Sequence, residues 1–210
     1  MKILNLYAGI GGNRKLWHDC NCNITAVESN PEIAEIYEDL YPDDNVIVGD
    51  AHEYLIKHFA EYDFIWSSPP CQSHSRLNYF NPNQYRYPDM KLYEEILLLK
   101  HSCKSFWIVE NVIPYYSPLI PPNITLHRHF FWCNFTIRPK QFERMDFKSG
   151  TLGKYYRAYR IDLSAYKNKN KRQLMRNCVL PELGRYILDH VQKYRKINFQ
   201  QEQIKWKNSD

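Results

Sequence analysis

The chain has 210 residues, of which 44% are hydrophobic and 24% are charged, and its formal net charge is +5. This composition is typical of a globular protein and excludes a disordered chain, and no apolar run reaches the roughly 20 residues of a membrane-spanning helix. Because the N-terminus lacks the long apolar core and cleavage site of a secretory signal, we expect a protein of the cytoplasm.

The six cysteines form no CxxC pair, and no histidine lies near them at a zinc-like spacing. We therefore predict reduced thiols and no metal site. Buried, inert side chains are the usual fate of such residues, and we expect it for Cys20, Cys22, Cys103 and Cys133. Cys71 has a different context, because it directly follows two prolines that end an apolar run.

Short β-branched or aromatic runs alternate with helical patterns over the first two-thirds of the chain. In chain order, the pattern predicts strands at residues 3–8, 24–28, 46–48, 64–67 and 106–109. It predicts helices at residues 13–19, 31–40, 51–60 and 89–101, and a last helix at 181–193. Strands that alternate with helices indicate an α/β fold with a mostly parallel sheet and helices on both faces.

Chemically suggestive residues follow the predicted strands, at the edge of the sheet where α/β proteins bind ligands. The loop "YAGIGG" at residues 7–12 lets the backbone approach a ligand and aims a helix N-terminus at a negative group. Glu28 and Asp50 end the next two strands, where carboxylates can accept hydrogen bonds from a ribose and an adenine amino group. A tight turn with two solvated carboxylates is the alternative, but together these features favour a nucleoside ligand with a carboxylate or phosphate tail.

Cys71 and Glu110 follow two strands that should be neighbours in the sheet, so their side chains are expected to converge on one pocket. A thiolate there is a candidate nucleophile, and a buried carboxyl beside it is a candidate general acid. A buried, inert cysteine and a solvated glutamate are the alternative from residue chemistry alone.

Positive charge is concentrated in one segment, since residues 136–176 carry 12 Lys and Arg against 3 Asp and Glu. The segment contains a basic and aromatic cluster suited to phosphate contact and base stacking, formed by Lys154, Tyr155, Tyr156, Arg157, Tyr159 and Arg160. A solvated basic loop is the alternative reading of this segment.

The ordered motifs "YAGIGG", "VESN", "GDAHEYL", "SPPCQSHS", "VENV" and "RNCVLPELGRYI" resemble the cytosine carbon-5 DNA methyltransferase family. The resemblance covers about residues 2–135 and 173–195, and "PPCQ" followed by "ENV" is its most specific part. It implies a Rossmann-like, S-adenosylmethionine-dependent methyltransferase fold with a small basic target-recognition region.

The resemblance implies which residues hold S-adenosyl-L-methionine, which leaves as S-adenosyl-L-homocysteine. Glu28 is expected to bind the ribose hydroxyls and Asp50 the adenine amino group. The other expected cofactor-binding residues are Tyr7, Ala8, Gly9, Gly11, Gly12, Ser29, Ala51, Pro69, Asn177 and Val179.

The resemblance also implies catalytic roles. Cys71 would attack carbon 6 of a cytosine flipped out of the duplex, and Glu110 would hydrogen-bond or protonate ring nitrogen 3. Pro70 stiffens the backbone before the cysteine, and Asn111 would support the loop that carries it. Arg128, in "LHRHFFW", is expected to contact the carbonyl oxygen of the base, with His127 or His129 as possible substitutes.

The implied organisation has a catalytic and cofactor-binding core at 1–135 and a target-recognition region at 136–172. A C-terminal helix at 173–195 returns to the core, and a polar tail follows at 196–210. The expected DNA contacts are Gln72, Ser75, Arg76, Lys154, Tyr155, Tyr156, Arg157 and Arg160. Because the recognition region is small, a second subunit or a restriction endonuclease is a possible partner.

The leading hypothesis is a DNA (cytosine-5-)-methyltransferase that acts on double-stranded DNA in a bacterial or phage-infected cell, in restriction-modification or a related role. The alternatives are a tRNA cytosine-5 methyltransferase, an amino-group methyltransferase, and a catalytically silent DNA-binding module of the same fold. Cys71 argues against the amino-group enzyme, which resembles Asp/Asn-Pro-Pro-Tyr at this strand end, and intact Cys71 and Glu110 argue against the silent module.

Overall fold

The computed structural model describes residues 1–76, 87–143, 151–167 and 170–207. The strands within these ranges form one seven-stranded sheet, and they are β1 (Lys2–Leu6), β2 (Asn23–Glu28), β3 (Asn45–Val48), β4 (Phe64–Ser67), β5 (Phe106–Val112), β6 (Ile124–Leu126) and β7 (His129–Cys133). Their order across the sheet is β3-β2-β1-β4-β5-β7-β6. The first five strands are parallel, and β7 is antiparallel to both of its neighbours.

The described α-helices are α1 (Pro31–Leu40), α2 (Ala51–His58), α3 (Lys91–Ser102), α4 (Leu152–Tyr159), α5 (Lys171–Asn177) and α6 (Pro181–Lys207). Two of them begin with the side-chain caps that their sequences suggest. Asn30 accepts hydrogen bonds from the amides of Glu32 and Ile33 at the start of α1, and Asp50 caps α2 in the same way. These caps satisfy amides that have no partner within the helix. None of the helices in the described part of the chain is long and apolar enough to cross a membrane.

The sheet is buried on both faces, as the α/β pattern predicts. Neighbouring residues of β1 point to opposite sides, so that Ile3 belongs to one apolar cluster and Leu4 to another. The first cluster contains the buried face of α6 and the aromatic side chains of α4, and the second contains residues of α2 and α3. The fold is therefore a mostly parallel, Rossmann-like sheet between two layers of helices.

Three of the predicted elements differ clearly from those in the structure. Residues 13–19, predicted as a helix, form a series of turns, in which Arg14 binds Asp44 through two hydrogen bonds of 2.8 and 2.9 Å. Strand β5 continues to Val112, because it pairs with β7 over its second half. Helix α6 continues to Lys207 instead of ending at 193, because the predicted polar tail contains no glycine or proline before that residue.

A disulfide joins Cys20 and Cys22, where the sequence predicted two reduced thiols. The intervening Asn21 has a φ of 49°, in the left-handed region that asparagine tolerates better than most residues. This turn brings the Cα atoms of the two cysteines to 5.3 Å, within the usual range for a disulfide. The other four cysteines are free.

Candidate active site

A cavity of about 350 Å³ opens at the carboxyl ends of β1, β2, β4 and β5. The segment between α5 and α6 closes another side of it. Its lining includes thirteen of the residues that the sequence singled out, which are Tyr7, Ala8, Gly9, Gly12, Glu28, Ser29, Pro69, Pro70, Cys71, Gln72, Glu110, Asn177 and Val179. Its size lies within the range of small-molecule sites in proteins.

The glycine loop is held against β2 by Glu28. One carboxylate oxygen of Glu28 accepts a hydrogen bond of 2.9 Å from the amide of Gly9, and the other accepts one of 3.0 Å from the amide of Asn30. Tyr7 and Gly9 both have φ of 54°, a left-handed conformation that turns the chain sharply at the end of β1. Since residues 13–19 are turns, the expected helix N-terminus does not follow this loop.

Gly11 has a packing role and does not line the cavity, in contrast to the cofactor contact expected for it. Its φ is 71°, and a Cβ added there would collide with the rings of Tyr41 and Tyr37. The hydroxyl of Tyr41 donates a hydrogen bond of 2.8 Å to the carbonyl oxygen of Gly11. Gly12 does line the cavity, and a side chain there would collide with Cys178.

Two asparagines form a polar floor beneath the glycine loop. Asn13 donates a hydrogen bond of 2.9 Å from Nδ2 to Oδ1 of Asn5, and both residues line the cavity. The side-chain amide of Asn5 is buried and lies within hydrogen-bonding reach of the hydroxyl of Tyr37. The two asparagines give this side of the cavity polar groups that a ligand can contact. Sequence reasoning missed both residues, although an asparagine within a buried strand was a usable signal.

Cys71 and Glu110 lie on the same cavity wall. Burial raises the pKa of Glu110 from 4.5 to about 7, although a hydrogen bond with Ser68 and the charge of Arg128 act in the opposite direction. Burial, and then the negative charge of Glu110, raise the pKa of Cys71, while the positive charge of Arg128 lowers it. Near neutral pH, a protonated Glu110 carboxyl is therefore available in the same cavity as the Cys71 thiol. Burial and the negative charge of ionised Glu110 both favour the protonated form of that thiol.

Hydrogen bonds fix the backbone on both sides of Cys71. Asn111 donates from Nδ2 to the carbonyl oxygen of Pro69 at 2.9 Å, which joins β5 to the loop after β4. The carbonyl oxygen of Cys71 accepts hydrogen bonds from the amides of His74 and Ser75, at 3.1 and 3.0 Å. The cysteine therefore lies at the start of a closed turn.

His129, the first residue of β7, lines the cavity, and Arg128, directly before it, does not. The Nε2 of His129 lies 3.6 Å from Oε1 of Glu110, whereas the guanidinium of Arg128 donates to the carbonyl oxygens of Arg176 and Cys178. Burial and the charge of Arg128 lower the pKa of His129 well below 6.5, so its imidazole is neutral. The base contact expected of Arg128 stays a prediction, and His129, one of the two alternatives to it, is the residue that lines the cavity.

Two expected DNA contacts after Cys71 meet the segment that follows β5. Ser75 forms an isolated β-bridge with Pro114, and Arg76 donates from Nε to the carbonyl oxygen of Pro114 at 3.3 Å. Arg76 itself is exposed.

Asp50 and Ala51 lie at the start of α2 and outside the cavity lining. The side chain of Asp50 caps the helix and lies 3.7 Å from Nζ of Lys91. A cofactor contact of these two residues stays a prediction.

The basic region contributes fewer surface side chains than its sequence suggested. Tyr155 and Tyr159 are both 0% exposed, because they are the apolar face of α4 and pack in the core cluster with α5 and α6. The prediction that Tyr155 contacts DNA was therefore wrong. Arg160 forms an ion pair of 3.1 Å with Glu182, while Lys154 and Arg157 are exposed and Tyr156 is half-buried. Residues 144–150 and 168–169 of the predicted region lie outside the described residues.

A family model described as C-5 cytosine-specific DNA methylase matches residues 1–113, which is more than half of the chain. The chain belongs to this family. The match includes the glycine loop, Cys71 and Glu110, and it ends directly after β5. A comparison with curated proteins finds no significant match.

Several solved structures are similar to this chain. A mutant DNMT2 of Spodoptera frugiperda is 28% identical, with a TM-score of 0.37 over 53% of this chain and 35% of that one. Dnmt2 of S. pombe is 24% identical, with a TM-score of 0.37 over 53% and 34%. A putative DNA modification methyltransferase of an E. coli prophage is 19% identical, with a TM-score of 0.39 over 56% and 33%. The chain spans about a third of the length of these structures.

The cofactor of this methylase family is S-adenosyl-L-methionine, and the residues of the cavity fit it. Glu28 presents a buried carboxylate at the end of β2, where ribose hydroxyls are bound in related α/β folds. Asn5, Asn13 and the backbone of the glycine loop add polar groups to the same cavity. Among the described residues, no group of three metal-ligating side chains is present.

Proposed function

We propose that this protein is a DNA (cytosine-5-)-methyltransferase, which methylates carbon 5 of a cytosine flipped out of double-stranded DNA. The observation that carries the proposal is the convergence of Cys71 and Glu110 on one cavity, where the pKa of Glu110 is raised to about 7. A base within a duplex is stacked and out of reach of a thiol on a cavity wall, so the target base must leave the helix.

The thiol and the carboxyl have complementary roles in this reaction. The thiol of Cys71 first loses its proton to solvent, and the thiolate forms a bond to carbon 6. The π electrons of the bond between carbons 5 and 6 shift toward nitrogen 3, which takes the proton of Glu110. The resulting enamine makes carbon 5 nucleophilic. After carbon 5 takes the methyl group, it loses its proton to solvent, which restores the double bond between carbons 5 and 6 and expels the thiolate of Cys71. Nitrogen 3 returns its proton to the carboxylate of Glu110. General acid help of this kind contributes about 10²- to 10⁴-fold to a rate.

The bound cofactor supplies an electrophilic methyl group on a sulfonium. Glu28 is suited to its ribose hydroxyls, and the backbone of the glycine loop and the side chains of Asn5 and Asn13 are suited to its polar tail. The further candidates of the cavity wall are Ser29, Pro69, Asn177 and Val179. Asp50 is the predicted partner of the adenine amino group.

Neutral His129 is suited to contact the base beside Glu110. Its Nδ1 is buried without a hydrogen-bond partner among the described residues, and its Nε2 is directed toward Glu110. The two ring nitrogens point in different directions, so only Nε2, on the Glu110 side, is suited to hydrogen-bond a base held there. Arg128 acts on the site through its positive charge, which lowers the pKa of Cys71. Its guanidinium also donates hydrogen bonds to the carbonyl oxygens of Arg176 and Cys178, before α6.

DNA binding is proposed for the exposed cations near the cavity and on α4. Arg76 follows the Cys71 turn, and Lys154 and Arg157 lie three residues apart on the exposed face of α4. Such side chains bind phosphates without reading sequence. Since the predicted target-recognition region spans only residues 136–172, a second subunit or another partner, such as a restriction endonuclease, is proposed to complete the grip on DNA.

The decisive experiment incubates the protein with methyl-labelled S-adenosylmethionine and either double-stranded DNA or a transfer RNA preparation, followed by nucleoside analysis. We expect 5-methylcytosine in DNA, and a fluorinated-cytosine duplex should become permanently attached to Cys71. The variant Cys71→Ala should lose methylation and attachment while it still binds the cofactor. Label only in RNA would favour the tRNA enzyme. Undiminished methylation by Cys71→Ala would exclude the covalent mechanism.

A further inference from the structure

Glu95 of α3 is a buried carboxyl with three hydrogen-bonding partners. One of its oxygens accepts from the hydroxyl of Tyr7 at 2.5 Å and contacts Nδ1 of His52 at 3.1 Å. The other oxygen accepts from the hydroxyl of Ser67 at 2.5 Å. The residue is 0% exposed, and a carboxyl at such a place is retained only if its hydrogen bonds are satisfied.

The three partners lie in three separate segments, at the ends of β1 and β4 and in the first turn of α2. Tyr7 directly follows β1 and opens the glycine loop, and its side chain lines the cavity. Ser67 is the last residue of β4 and is followed by the prolines and Cys71. His52 lies in the first turn of α2, two residues after its cap. A single side chain therefore joins the loop suited to the cofactor to the loop that carries the nucleophile.

Tyr7 and Ser67 make these contacts at the ends of β1 and β4. Tyr7 has φ of 54°, a conformation that a non-glycine residue adopts only when its surroundings hold it. The hydrogen bond to Glu95 is a contact that phenylalanine at this position would not make. Ser67 is buried and is the last residue of β4, so its hydrogen bond to Glu95 fixes the end of the strand before the Pro69–Pro70 loop begins. Both contacts therefore act on backbone position.

We propose that Glu95 is a positioning residue, which holds the glycine loop and the Cys71 loop at a fixed separation through Tyr7 and Ser67. The proposal deepens the proposed function and rests on it. It assigns separate effects to the two contacts. The Tyr7 contact supports cofactor binding, the Ser67 contact supports attack by Cys71, and Glu95 supports both.

The test compares Tyr7→Phe, Ser67→Ala and Glu95→Gln with a matched control, Tyr54→Phe. The control also removes a hydroxyl hydrogen bond, the one of 2.9 Å between Tyr54 and Tyr62, outside the cavity lining. Three quantities are measured for each variant: the dissociation constant of S-adenosylmethionine by calorimetry, the rate of attachment to a fluorinated-cytosine duplex at saturating cofactor, and the melting temperature.

A lost intramolecular hydrogen bond changes an equilibrium or a rate by about three- to tenfold. We expect Tyr7→Phe to weaken cofactor binding by this factor with little change in attachment rate, and Ser67→Ala to do the reverse. Glu95→Gln should affect both quantities. Tyr54→Phe should lower the melting temperature alone.

The proposal is overturned if all three site variants behave like Tyr54→Phe, with a lower melting temperature and unchanged binding and attachment. Its failure is distinguishable from failure of the proposed function. If the wild-type protein binds S-adenosylmethionine but never attaches to the duplex, the proposed function is wrong, and the cofactor affinities of Tyr7→Phe and Glu95→Gln still decide the role of Glu95. A wild-type protein that binds no S-adenosylmethionine overturns both.

Discussion

The side-chain amide of Asn111 donates a hydrogen bond of 2.9 Å to the carbonyl oxygen of Pro69, and this contact joins β5 to the loop that carries Cys71. Asn111 is 1% exposed and its Oδ1 accepts from the amide of Val112, so its side chain is held on both sides. The strand that carries Glu110 thereby also fixes the backbone that precedes Cys71.

Replacing Asn111 with alanine should slow attachment to a fluorinated-cytosine duplex. The variant leaves the carbonyl oxygen of Pro69 buried without its donor, which costs about 1–3 kcal/mol, and frees the loop before Cys71. Asn134→Ala is the matched control, because Asn134 Nδ2 donates to the carbonyl oxygen of Ser105 at 2.8 Å outside the cavity lining. Equal attachment rates for the two variants would contradict a role of this contact in placing Cys71.

Replacing Glu110 with glutamine should lower kcat/KM by about 10²- to 10⁴-fold and change its dependence on pH. In the wild-type protein, kcat/KM should rise with pH as the thiolate of Cys71 forms, and level off above the Glu110 pKa of about 7, because the acid is then lost as fast as the thiolate is gained. In Glu110→Gln the rise should continue through pH 8. His129, neutral throughout this range, should not add a step. Parallel profiles would exclude Glu110 as the proton donor.

The stability of the protein should depend on the same carboxyl. The folded pKa of Glu110 is raised from 4.5 to about 7, so the folded state holds a proton that the unfolded state loses between these values. The free energy of unfolding should therefore fall as pH rises from 4.5 through about 7, by on the order of 3 kcal/mol. Urea unfolding of the wild-type protein and Glu110→Gln at pH 5 and pH 8 measures the difference. The prediction is contradicted if the free energy of unfolding of the wild-type protein increases relative to that of Glu110→Gln between pH 5 and pH 8.

The exposed and buried side chains of α4 should give opposite phenotypes. Replacing Lys154 and Arg157 with alanine should weaken DNA binding and reduce the slope of log K against log salt by about 2, with an unchanged melting temperature. Replacing Tyr155 with alanine should destabilise the fold by about 3–5 kcal/mol. The control is Lys57→Ala, which removes an exposed positive charge from α2 and so measures the effect of charge loss alone. An unchanged salt slope in the double variant would exclude α4 from the DNA contact.

Much of the fold is readable from local sequence. The start of α1 at Pro31 follows from Asn30 and the proline, and the five parallel strands follow from apolar runs between helical patterns. The turns at 13–19 were not readable, because an ion pair between Arg14 and Asp44, distant in sequence, helps hold them. The disulfide of Cys20 and Cys22 depends on the left-handed turn at Asn21, which spacing alone does not indicate.

By itself, the sequence determined that Cys71 and Glu110 line one cavity, because a cysteine shortly after β4 and a glutamate in the second half of the neighbouring parallel β5 both lie toward the carboxyl edge of the sheet. Which side chain of "RHFFW" reaches the cavity was decided only by the tertiary structure. Antiparallel pairing places His129 opposite Val112, and since side chains alternate along a strand, a shift of one residue would have directed Arg128 there instead. Docking of α4 on the core likewise decided that Tyr155 is buried, since the same residues on a free helix would face solvent.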